Sequence, residues 1–253
     1  MLLFSPLALG AGSLDAIRSR DVLRVSVKNA GAESRQEHND PAHFQKRDFE
    51  VELAGLIAKK ILGDAHKVDL LEFKRRFRLQ AVADGTVDIG ISMFPVTAEN
   101  REIVDFSEPY YQGGLAVMQK SVSTIRTMAD LDGKTLVAME QKSHDPGGEL
   151  QQLATAQGAK VGLKYASTFE DGVDMLESGR VDGMVAMHAN LDAFIADGHP
   201  DYHRSPLLSH EQYAIAVAKG AGDLLQAVNE VIASLKSSGE LAAMIKRHGL
   251  TEE

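Results

Sequence analysis

From Val22 onward, short apolar runs alternate with stretches in which apolar residues recur every three to four positions. Alternation of that kind reads as α/β architecture. Leu23 to Val27 is one such run and predicts a strand. Phe49, Leu53, Leu56, Ile57 and Ile61 follow at helical spacing, with Gly63 as a stop. Phe77 and Ala81 share one face of a further helix ending near Gly85, before a strand over Val87 to Ser92.

A second set follows the apolar segment Gly113 to Met118. Thr135 to Met139 predicts a strand, and Asp145-Pro146 opens a helix carrying Leu150 and Leu153. Lys160 to Tyr165 predicts another strand, and Thr168 caps a helix through Val173 and Leu176 that stops at Gly179. Leu224, Leu225, Val228, Val231, Ile232 and Leu235 then mark a long amphipathic helix, and Leu241, Met244 and Ile245 a shorter one.

One stretch echoes another. Gly85-Thr86-Val87-Asp88 leads to Met93, and Gly179-Arg180-Val181-Asp182 leads in the same register to Met187. Each leaves a helix at glycine and enters an apolar strand, which predicts two lobes built alike. Ligands of open parallel sheets gather at the carboxyl ends of strands, so Met93 and Met187 are candidates for a shared cleft.

Composition narrows the classes. A formal net charge of −9 argues against nucleic acid or an anionic membrane as partner. The 253 residues contain no cysteine, which excludes disulfides, thiolate metal sites and cysteine nucleophiles. MLLFSPLALGAGS, at the start, has the apolar stretch and small residues of a secretory leader without its basic beginning. Export is therefore expected, without a lipid anchor, which requires a cysteine. There is no G-x-S-x-G, no H-E-x-x-H and no phosphate loop, so no catalytic set and no cofactor is expected. His38, Asp40 and His43 lie close together, but their spacing fits no standard metal site and a turn-rich loop is the expected reading.

DFEVELAGLIAKKIL (Asp48 to Leu62), ADGTVDIGISM (Ala83 to Met93) and TAENREIVDFSEPYY (Thr97 to Tyr111) resemble the solute-binding proteins of polar amino-acid ABC transporters, family 3. LDGKTLVAM, ESGRVDGMVAM and QYAIAVAKG continue that likeness, which runs from about Val22 to Leu250. The resemblance implies an α/β, two-lobed periplasmic-binding-protein (Venus-flytrap) fold with two crossover strands. It places lobe 1 at 21–113 plus 213–253 and lobe 2 at 120–209, after an N-terminal segment 1–20, with hinges at 114–119 and 210–212. It further implies a monomeric periplasmic receptor that is not an enzyme and hands a small molecule to an ABC permease.

Members of that family that bind α-amino acids use an arginine for the carboxylate, a nearby hydroxyl, and an aspartate for the ammonium. Here those slots hold Asn100, Pro95 and Met187. Arg101, next to the arginine slot, points about 100° away on a helix and is retained as a candidate only through a local distortion. An amino-acid derivative or small organic acid is thus expected in place of a plain α-amino acid. Phe44, Met93, Phe94 and Met187 are the candidate apolar walls, and Arg75, Ser92, Asn100 and Ser143 the candidate polar contacts. His144 adds a backbone donor at a helix start, and Glu140 a carboxylate for a cationic group. His188 is expected to be exposed. A sensory domain of the same fold, or a lyase or dehydratase evolved on it with Glu140, His144 and Arg75 as its acid–base set, are the alternatives.

Overall fold

The computed structural model describes residues 13–27, 49–121, 124–140, 145–196, 198–248 and 250. Phe44, Ser143, His144, the apolar residues 1–12 and the His38, Asp40, His43 set lie outside them. The chain opens with α1 (Leu14–Arg20), β1 (Leu23–Val27), α2 (Phe49–Leu62) and β2 (Val68–Glu72). A 3-10 turn (Arg75–Phe77) leads into α3 (Arg78–Ala83), β3 (Ile89–Pro95), α4 (Ala98–Ile103), β4 (Asp105–Phe106) and β5 (Tyr111–Gly113). Next come β6 (Leu115–Lys120), a 3-10 turn (Met128–Leu131), β7 (Thr135–Met139), α5 (Pro146–Ala156) and β8 (Gly162–Ala166). Then follow α6 (Phe169–Glu177), β9 (Gly183–Met187), α7 (His188–Ala196) and β10 (Tyr202–Arg204). The chain closes with β11 (Glu211–Val217), α8 (Gly222–Ser238) and α9 (Glu240–Arg247).

Contacts divide it into two units, the described parts of Met1–Tyr111 with Gln212–Met244, and of Gln112–Glu211 with Ile245–Glu253. The first unit holds a sheet in the order β2-β1-β3-β11-β4, with β5 paired to β11. β1 runs parallel to both β2 and β3, and β11 runs antiparallel to β3 and β4. α2 forms because Phe49, Leu53, Ala54, Ile57, Ala58 and Ile61 supply one buried stripe. Glu50 and Glu52 in its first turn and Lys59 and Lys60 in its last complement the helix dipole.

The second unit has its own sheet, β10-β6-β9-β7-β8. β7 lies parallel to β8 and β9, while β6 is antiparallel to β9 and β10. Residues 115–119 of the expected hinge segment lie in β6, where Leu115 to Met118 are fully buried between β9 and β10. Residues 14–20, part of the N-terminal segment expected at 1–20, form α1, which buries Ile17 and is capped by Ser13. Phe77 does not share the buried face of Ala81. It stands at the position just before α3 with no side-chain capping bond, is 48% exposed, and carries the Arg76 guanidinium 4.6 Å above its ring.

The sequence echo has a structural counterpart. Arg24 donates its N–H to Asp88 Oδ2 (2.8 Å), and Asp88 returns its own N–H to the Arg24 carbonyl (2.9 Å). Thr135 donates its N–H to Asp182 Oδ2 (2.7 Å), and Asp182 returns its N–H to the Thr135 carbonyl (2.7 Å). Each aspartate thereby clips the start of a neighbouring parallel strand to its own. Gly85 and Gly179 make the preceding turns at φ 74 and 68, a region that costs residues with a Cβ about 1 kcal/mol or more.

Candidate functional site

In the first unit, β1 lies between β2 and β3, so the chain winds away from it in opposite directions on its two sides. Crevices for ligands form outside the carboxyl ends of strands at such switch points. Val27, the last residue of β1, pairs with Glu72, the last of β2, and Ser26 pairs with Gly90. β3 runs on past that level, which carries Ser92 and Met93 beyond the end of β1.

Ser92 is buried, and its hydroxyl accepts a hydrogen bond from Arg78 Nη1 at 2.8 Å. Arg78 Nε donates to the carbonyl of Phe73, one residue past β2, at 2.9 Å. The guanidinium therefore bridges from β2 to β3 at the carboxyl end of β1. Met93 follows Ser92 with φ 45, a left-handed conformation costly for a side chain of its size. The Tyr110 hydroxyl reaches Met93 Sδ at 3.8 Å, and the Tyr110 ring stacks on Phe49 with centroids 5.5 Å apart. Burial, and then the nearby Glu50 carboxylate, push the Tyr110 hydroxyl well above its ordinary pKa.

The remaining candidates of this unit are placed otherwise. Phe94 is 6% exposed and packs in the core around Val82, Val87, Val104 and Phe106. Its ring lies over Gly90, where a Cβ would come within 2.8 Å of Phe94 Cε2. Asn100 Nδ2 donates to the Pro95 carbonyl at 2.9 Å, tying the end of β3 to α4. Thr97 caps α4 by accepting the Asn100 N–H. Arg101 is exposed, its guanidinium 5.9 Å from the Phe106 ring. Arg75 sits in the 3-10 turn before α3. Among the inward-facing arginines the sequence offered, Arg78 was missed; the basic run 74–78 was its only signal.

In the second unit, Met187 ends β9 opposite Leu115 and packs on the core around Leu115, Val117 and Leu136. His188 is fully buried, a correction to the exposed residue expected at a helix start. Its N–H donates to the Gly114 carbonyl (3.0 Å), and its ring Nδ1 lies 3.4 Å from the Gly114 nitrogen and 3.3 Å from its carbonyl oxygen. Position 114 itself requires glycine for a separate reason, since a Cβ there would sit 1.8 Å from the Ser209 carbonyl oxygen. Glu140 is exposed at the end of β7, its N–H bonded to the Ala166 carbonyl (2.8 Å). Asp145 caps α5 through the Gly148 N–H (2.9 Å) and accepts from the Tyr165 hydroxyl (2.6 Å), which it pushes up to about 12. Partial burial, then the charge of Glu211 and a hydrogen bond with it, raise Glu149 to about 7.

Among the described residues no group of three or more histidines and carboxylates is placed to hold a metal ion, and no helix is long and apolar enough to cross a membrane. The model of the bacterial extracellular solute-binding proteins, family 3, matches residues 36–251. The chain is 27% identical over 209 residues to the ABC transporter glutamine-binding protein GlnH of Bacillus subtilis, covering 82% of this chain and 74% of the relative. It is 27% identical over 244 residues to the L-cystine-binding protein TcyJ of Escherichia coli, covering 93% and 85%. Among solved structures, a solute receptor for L-cysteine of Neisseria gonorrhoeae superposes with a TM-score of 0.64 at 27% identity, covering 93% of each chain.

Proposed function

Because the chain belongs to family 3 of the bacterial extracellular solute-binding proteins, we propose that its ligand is an amino-acid derivative or small organic acid distinct from the plain α-amino acids. The receptor itself acts outside the cytoplasm, binding a small polar solute for an ABC importer; it is a binding protein and not an enzyme. The relatives bind glutamine and L-cystine, which supports a guest of amino-acid size and polarity. What argues for a modified guest is the commitment of Asn100. Its amide holds the Pro95 carbonyl at the place where an anchoring cation is expected, and proline at 95 brings neither hydroxyl nor N–H.

A thermal-shift screen over α-amino acids, N-acylated amino acids, organic acids, amines and betaines tests this reading. A ligand that binds only the native form at 100 times its Kd stabilises by about 2.7 kcal/mol, which raises Tm by roughly 5–10 °C for a chain of this size. The expected outcome is such a shift with a derivative or an organic acid and little or none with glutamine, cystine or arginine. A large shift with any of those three overturns it.

A further inference from the structure

We infer that Arg78 and Ser92 form the carboxylate anchor of this receptor, moved from the α4 position to the carboxyl end of β1. The inference rests on the receptor reading above and names the group that its ligand presents.

Three observations converge. The first is location: the guanidinium is held by the Phe73 carbonyl on one side and by the Ser92 hydroxyl on the other, so it lies where the chain direction diverges and ligands of such sheets collect. The second is geometry. Fixing both Nε and Nη1 sets the plane of the fork, and a planar guanidinium pairs with a carboxylate through parallel N–H bonds. A serine hydroxyl that accepts from arginine still carries its own proton, which it donates to the same anion. The third is strain: Met93, the next residue, is held at φ 45, and such conformations persist where the surrounding structure enforces them, commonly beside binding sites. Asn100, engaged with Pro95, supplies no competing cation. The partner selected is a small carboxylate.

Titration calorimetry with matched acids and amides tests it: N-acetyl-L-alanine against N-acetyl-L-alaninamide, L-pyroglutamate against its amide, and succinamate against succinamide. A charge-assisted bidentate contact predicts that the acid of at least one pair binds about 30-fold more tightly than its amide. Arg78→Gln reduces the acid's affinity by about that factor and the amide's by less than about threefold, collapsing the preference. A purely structural arginine weakens both equally. Ser92→Ala, which leaves the bond to Phe73 in place, lowers the acid's affinity about threefold to tenfold and serves if Arg78→Gln does not fold. Unchanged discrimination in these variants, or binding confined to uncharged or cationic solutes of the wider screen, overturns the anchor and leaves the receptor reading standing. Absence of binding by every class in that screen sinks both.

Discussion

Asp88 and Asp182 stand at equivalent places in two separately packed units, each exchanging backbone hydrogen bonds with the first or second residue of a parallel strand. Their surroundings differ. Asp88 is fully buried and also meets the guanidinium groups of Arg20 and Arg24. The Asp182 side chain is 42% exposed, and its cation, Lys134, stands 3.8 Å away. The same backbone joint is thus braced by a buried carboxylate held between two partly exposed arginines in one unit and stands at a wet surface in the other. Backbone pairing defines the joint, and burial decides how much charge is needed to hold it.

The largest expected effect breaks that contrast directly. Asp88→Ala removes the buried carboxylate that Arg20, Arg24 and the Arg24 N–H share and should cost about 3 kcal/mol, whereas Asp182→Ala should cost about 1 kcal/mol. Urea unfolding followed by circular dichroism checks both, and equal losses refute the contrast. A pH series comes next, and concerns the second unit. Glu149, raised to about 7, binds more protons folded than unfolded. Its contribution is therefore complete below about 4.5 and disappears as pH rises through about 7. Allowing for its partial exposure, the loss is about 1–2 kcal/mol. Tm should fall across that window, and Glu149→Gln should flatten the fall.

The smallest effect separates the two echo methionines. Met93 has a positive φ and Met187 closes a regular strand. Glycine at 93 should be more stable than alanine at 93 by about 1 kcal/mol, and glycine at 187 less stable than alanine by about 0.5–1 kcal/mol. Comparing each pair by thermal unfolding cancels the loss of the side chain common to both members.

Much of the fold was legible because it rests on local signals. The stripe of α2, the Thr168 cap and the glycine exits at 85 and 179 are properties of a few neighbouring residues, and each element stands where those signals put it. The candidate site was less legible, since it depends on phase and curvature. Which arginine of 74–78 turns inward is set by the 3-10 turn at 75–77, which shifts the start of α3 relative to an unbroken helix. Phe94 folds back over Gly90 because β3 bends at Met93, where β11 also shifts register between Ala214 and Ala216. His188 is buried against the backbone of Gly114, 74 positions earlier, and no helical pattern signals that. Phe44, Ser143 and His144 lie outside the described residues, so their expected roles remain proposals.

The clip of Asp88 has a consequence for how this receptor can change. It sits on the same segment as Ser92 but four residues earlier, about 13 Å away along an extended chain, farther than the ~7–10 Å over which substitutions ordinarily interfere. Natural variation, or a combinatorial library confined to the far tip, is therefore able to explore new guests while the fastening at the opposite end preserves the reserve of stability that such exploration draws upon.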